Sequence, residues 1–230
     1  YQNKLSIIGL GLDVKNNPKT QLIAKYISIA GNIYADNQEL IFRSANQSFN
    51  FNNNSLSSIK CNDNSEQCIT SNSNQIPEEQ VAIDASSLAK IQAGKIFVIA
   101  NQYGFAVNWL ADTIAQNSGI TIDNQGNIKY QNLLANNGNI EIKAHDHKIT
   151  AQGVLQTQKL DATNQNIGNL NFNIDLQAKD IELQNLSRIL SASKVNILAS
   201  QNFLNSSNQN LISDHDLLIK AKNIDNYGVI

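Results

Sequence analysis

The chain has 230 residues with a net charge of −2, 41% hydrophobic residues and only 16% charged residues. Such a chain can build one sizeable core or one long solenoid, and without a basic stripe it is not suited to gripping nucleic acid. It contains no run of 18 apolar residues, so no segment reads as a membrane-spanning helix.

The N-terminal third reads as strands. Leu5 to Val14, Gln21 to Ala30 and Glu39 to Ser44 carry the apolar alternation, with turns at Asn16-Asn-Pro18 and Asp36-Asn-Gln38. Gly9-Leu-Gly11 has no helix pattern after it, so it carries no dinucleotide-binding meaning. Residues 46–80 then break the rhythm with Ser, Asn and Gln. That stretch predicts an extruded loop, long enough to be a β-hairpin or partly disordered. Its two cysteines, Cys61 and Cys68, are the only ones in the chain. A close pair of this kind reads as a local disulfide of an exported protein, adding about 2–3 kcal/mol of local order. Half a zinc site is the competing reading, but no His or further Cys lies nearby to complete it.

Beyond Gly94 a short strand pattern returns about every 20 residues. Its copies are Ile96-Phe-Val-Ile-Ala100, Asn139-Ile-Glu-Ile-Lys-Ala144, Ile174-Asp-Leu-Gln-Ala178, Val195-Asn-Ile-Leu-Ala199 and Leu217-Leu-Ile-Lys-Ala221. Alternate residues share one face, the period-two mark of a half-buried strand. Three apolar lanes result. The first begins at Ile96, Ile120, Ile140, Leu160, Ile174, Val195 and Leu217. The second lies at Ile128, Ile149, Ile181, Phe203 and Ile224, and the third near Leu133, Val154, Ile189 and Leu211. Three short strands per coil predict an all-β fold, a right-handed three-sided parallel β-helix. Each coil of such a solenoid buries its face only against its neighbours. The step from Leu160 to Ile174 predicts a broken or shortened coil. Neither the helical periodicity of an α-solenoid nor the leucine-rich-repeat frame is present.

Asparagine is abundant, at 36 residues. It tolerates left-handed turns and can stack in hydrogen-bonded ladders between coils. An AT-rich coding sequence would enrich Asn, Ile and Lys as well.

Few residues suggest chemistry. His145-Asp146-His147 and Asp214-His215-Asp216 have the look of metal ligands, but they lie coils apart and read better as surface turns. Asp123, Asp161, Asp175 and Glu182 recur on the coils, and polysaccharide-cleaving β-helix enzymes gather acids in this way. Hydrolysis needs paired carboxylates in unlike environments, and these are sparse and mostly outward. No catalytic residue, metal or other cofactor is expected. Tyr103, Phe105 and Trp109 gather near one coil, with Phe97 and Ile99 at outward alternate positions of the preceding strand. They are candidates for binding a carbohydrate or protein partner, or for being covered by the loop or another packed element.

The stretch Val81-Ala-Ile-Asp-Ala-Ser-Ser-Leu-Ala-Lys-Ile-Gln-Ala-Gly-Lys-Ile-Phe-Val-Ile-Ala100 resembles a segment of the filamentous haemagglutinin family, the exoproteins of bacterial two-partner secretion, which include contact-dependent growth-inhibition proteins. Gly104-Phe-Ala-Val-Asn108, Gly11-Leu-Asp-Val14 and Leu22 to Ala35 match further family segments in the same order. The family's Gly-Gly-Met-Tyr turn is Ala89-Lys-Ile-Gln92 here, and its Asn-Pro-Asn motifs are absent. The resemblance implies that residues 1–155 are the later part of a secretion domain and that 156–230 begin haemagglutinin-type repeats. It implies a fragment of a longer chain, secreted to the cell surface of a Gram-negative bacterium. The expected partners are an outer-membrane transporter with periplasmic recognition domains and an unidentified receptor on a host or neighbouring cell. A non-catalytic, monomeric rod segment of an adhesin or growth-inhibition protein is the function expected. The alternatives are a carbohydrate-active β-helix enzyme and a trimeric tailspike-like fibre.

Overall fold

The computed structural model describes residues 4–44, 47–50, 55–58, 80–158, 172–184, 187–191, 193–206, 210–213 and 216–230. These residues form an all-β parallel solenoid of about eight coils, with about 22 residues per coil and no helix. The all-β parallel solenoid expected from the repeat is therefore present, with a slightly longer period.

The coils stack through three ladders of parallel strands. The first joins Lys19–Ala24, Glu39–Ser44, Lys95–Ala100, Ile120–Asn124 and Ile140–Lys143 in order, and continues to Leu217–Lys220. The second joins Lys4–Ile7, Tyr26–Ile29, Val81–Ala85, Ala106–Trp109, Ile128–Tyr130 and Lys148–Ala151, and continues to Asn223–Asn226. The third runs from Leu12–Asp13 through Ile33–Tyr34, Lys90–Ala93, Asp112–Ala115, Leu133–Asn136, Val154–Gln158 and Arg188–Ser191 to Asn210–Ser213. Two long strands, Ile174–Leu183 and Val195–Asn205, serve the first and second ladders at once, with a register shift between Ala178 and Asp180.

The core consists of the inward residues of these strands. Ile96, Ile120, Ile140, Ile174 and Val195 stack in one column and are fully buried, as are Ile122, Ile142 and Ile197. Branched side chains suit this pleated stack, and each fully buried one contributes about 1.5–3 kcal/mol. Burial fades at both ends, where an inward residue such as Leu5 or Leu217 packs against a coil on one side only. The second lane has the register expected from the sequence: Ile128 pairs with Ile149, Ile149 with Ile181, Ile181 with Phe203 and Phe203 with Ile224.

Four expectations need correction. Ile140 pairs directly with Ile174, so the next rung of the first lane is Ile174 and not Leu160. That coil is longer than its neighbours, not shorter, and Leu160 lies outside the described residues. In the third lane Leu133 pairs with Leu155, and Leu155, not Val154, is the buried residue. Leu5 to Val14 and Gln21 to Ala30 are each two strands from different ladders. The first of these turns its corner on Gly9 and Gly11, whose φ values of 62° and 85° are left-handed.

Residues Gln47–Asn50 and Ser55–Ser58 form an antiparallel pair, the only one among the described strands. A hairpin thus occupies the start of the stretch expected to be extruded. Cys61 and Cys68 lie outside the described residues.

Asparagine does specific work at the corners. The Oδ1 atoms of Asn32, Asn127, Asn132, Asn139 and Asn173 accept hydrogen bonds from the backbone N–H groups of Lys90, Lys148, Val154, Asn173 and Lys194, at 2.9–3.3 Å. Each of these Asn residues directly precedes the first inward residue of a strand, and each donor holds the same place one coil later. Side chains also stack: Asn223 donates to Asn202 at 2.8 Å, and Asn202 donates to Asp180 at 2.6 Å. A backbone group at a corner has no ladder partner, and the amide supplies one.

Candidate functional site

Of the four aromatic residues singled out, two belong to the interior. Trp109 is fully buried, packs edge-on against Phe42 at 5.0 Å and donates its indole N–H to Thr113 Oγ1 at 2.8 Å. Phe105 is buried beside the Tyr26 ring, 6.1 Å away. Phe97 is half-buried on the outward side, with the Lys95 ammonium 4.5 Å from its ring centroid. Tyr103 is the exposed member, at 65%, and its ring meets His147 edge-on at 5.0 Å. The four do not form one surface, because Trp109 is held inward by the pleat of the second ladder.

The acids are also separated by their partners. Asp123 holds His145 Nε2 at 2.8 Å, and Asp175 accepts from Asn196 at 2.6 Å. Glu182 accepts from Lys148 and from Gln184. Burial pushes the Glu182 carboxyl up, but those two hydrogen bonds and the Lys148 charge outweigh it, so the net shift is downward. A carboxyl held ionised in this way anchors a cation and is not suited to act as a general acid. The Lys143 ammonium is held above its ordinary value by its hydrogen bond to Glu141 and the charges of Glu141, Asp123 and Asp175, against a smaller opposing effect of burial. Asp161 lies outside the described residues.

His145-Asp146-His147 is a corner turn, with His145 at φ 38°. Among the described residues no group of three or more His, Cys, Asp or Glu side chains is placed to hold a metal ion. Asp216 forms an ion pair with Lys194 at 2.9 Å, and Asp214 and His215 lie outside the described residues.

What the structure adds is a concave corner. At the end of the first ladder's strands Ala100 pairs with Ser44 and Asn124, and in the later coils Ala178 pairs with Ala199. Continuing the same register places Ala144 before them and Ala221 after them. Outside this buried column an open groove of about 640 Å³ runs across the coils, with Gln177, Leu198, Ser200, Lys220 and Lys222 along it and Asp146 at the opposite end from the lysines. The groove itself follows only from stacking.

No protein-family profile matches the chain, and no solved structure matches it. Over 127 residues, 55% of its length, the chain is 25% identical to tRNA nuclease CdiA-2 of Burkholderia pseudomallei (strain 1026b). The chain spans about 4% of that protein's length.

Proposed function

We propose that this chain is a structural module of a large exported exoprotein of the contact-dependent growth-inhibition type, a segment of rod rather than a catalytic unit. The similarity to part of CdiA-2, in a chain that folds as a parallel solenoid, carries this reading. The match covers about 4% of the relative, so the nuclease named for that protein is not carried over to this chain. Stacked coils suit a spacer, because each coil needs only its neighbours and the array can be lengthened without redesign.

On this reading residues 1–155 belong to the later part of a two-partner secretion domain and residues 156–230 open the rod. The chain passes through an outer-membrane transporter and stands on the cell surface. The test is made in the native host. The gene encoding a transporter with periplasmic recognition domains, expected beside this coding sequence, is deleted, and surface exposure is followed with an antibody against residues 80–158. Loss of surface signal with retained intracellular chain is the expected result. Unchanged surface display would overturn the proposal.

A further inference from the structure

We propose that Asn137 is a site of covalent modification in the unfolded chain, deamidating to aspartate and isoaspartate, and that the closed coil suppresses the reaction. Of the chain's glycines only Gly138 follows an asparagine. The fold demands both residues. Asn137 turns the corner between Leu133–Asn136 and Ile140–Lys143 with a left-handed φ of 62°, which Asn tolerates better than most side chains. A Cβ on Gly138 would stand 2.2 Å from the backbone of Ser118 and Gly119 on the preceding coil. Packing has thus put side by side two residues whose pairing is chemically labile.

In the reaction the Gly138 amide nitrogen attacks the side-chain carbonyl carbon of Asn137. A nitrogen–carbon bond forms, the Cγ–Nδ2 bond breaks, and ammonia leaves with the proton that the Gly138 nitrogen gives up. Water then opens the cyclic imide, giving aspartate by attack at Cγ and isoaspartate by attack at the main-chain carbonyl. Glycine favours closure because no side chain hinders its nitrogen. Closure needs that nitrogen on the same side of the Asn137 Cα–C bond as Cβ. In the left-handed region, where ψ is about +30 to +60°, it stands on the opposite side. The Asn137 N–H is also tied to the Gln158 carbonyl at 2.8 Å. The folded corner holds the reacting atoms apart, and an unfolded chain does not.

Isoaspartate adds one main-chain atom between two fixed points. Asn136 is paired with Gln158, and Ile140 with both Ile120 and Ile174. Gly138 has no room toward Ser118 to take up the excess, so the coil cannot close in register. On the proposed reading of an exported chain, this limits how long it can wait unfolded; the chemistry itself needs no export.

The test ages the 230-residue chain in mildly alkaline buffer, folded in one sample and unfolded in guanidinium chloride in another. Peptide mapping by mass spectrometry follows each asparagine. Asn137 should be the first lost in the unfolded sample, with isoaspartate among the products. In the folded sample its loss should be at least about tenfold slower, because only the opened fraction reacts. After equal ageing in denaturant and dilution into buffer, the wild-type chain should regain less of its native circular-dichroism signal than Asn137→Gly. That variant keeps the left-handed turn and removes the reacting amide. Recovery is scored against each chain's own unaged refolding, and the peptide map stands without the variant. Equal rates at Asn137 in the two samples, earlier loss of another asparagine in the unfolded one, or equal recovery of the two chains would overturn the proposal.

Discussion

The indole N–H of Trp109 donates to the hydroxyl of Thr113 at 2.8 Å inside the core, and that hydroxyl donates in turn to the Ala111 carbonyl at 3.0 Å. Both side chains are almost wholly out of water. Thr113→Val keeps the shape and removes the acceptor, leaving a buried N–H unpaired. The expected loss is about 1–3 kcal/mol. Trp109 is the only tryptophan, so urea unfolding followed by its fluorescence measures the loss directly.

Gly138 and Gly104 separate steric from conformational demand. A Cβ on Gly138 would stand 2.2 Å from the backbone of Ser118 and Gly119, one coil away, with no flexible side chain to yield. Gly104 has open space around it but a φ of 78°. Gly104→Ala should therefore destabilise by about 1–2 kcal/mol. Gly138→Ala should exceed that, because two coils must separate. Equal melting temperatures for the two variants would refute the distinction.

Asn132 bridges two interfaces, donating to Asp112 at 2.7 Å and accepting from Val154 N–H at 3.0 Å. Asn132→Ala removes both bonds and should lower stability by about 1–2 kcal/mol. Hydrogen exchange at the Val154 amide should accelerate in that variant more than exchange at Leu155.

The Lys148–Glu182 pair predicts a pH dependence. The folded-state pKa of Glu182 lies below its ordinary value of 4.5, so its contribution is fully present above pH 4.5 and is lost as pH falls through the lower folded value. The pair is partly exposed, so wild type should exceed Glu182→Gln by less than about 1 kcal/mol at pH 7. Denaturant melts over a pH series should show that gap closing below pH 4.5. A gap that widens there would contradict the pairing.

The first and second lanes were legible because branched apolar residues alternate cleanly with polar ones, so Ile96, Ile120 and Ile140 could be aligned by eye. The third lane was not, because Val154 and Leu155 are adjacent and both apolar, and period-two reasoning cannot choose between them. Leu155→Ala should cost about 2–5 kcal/mol, while Val154→Ala should cost far less, which an equilibrium unfolding series on both will show. Spacing alone also could not distinguish an insertion from a rung, and so Leu160 was placed in a lane that passes directly from Ile140 to Ile174. The aromatic group suffered from phase: in a strand of four residues, Ala106–Trp109, sequence does not say which side Trp109 faces. Lys220 and Lys222 escaped notice because a groove across four coils has no counterpart along the sequence.

The corner asparagines have a polarity. In each of the five bonds, from Asn32–Lys90 to Asn173–Lys194, the accepting amide belongs to the earlier coil and the donating backbone to the later one. A finished coil therefore offers a template that the following stretch of chain can read. A chain that emerges from its N-terminus is given its register as it arrives, and a slip of one residue meets a missing tooth at the corner before the strand can close.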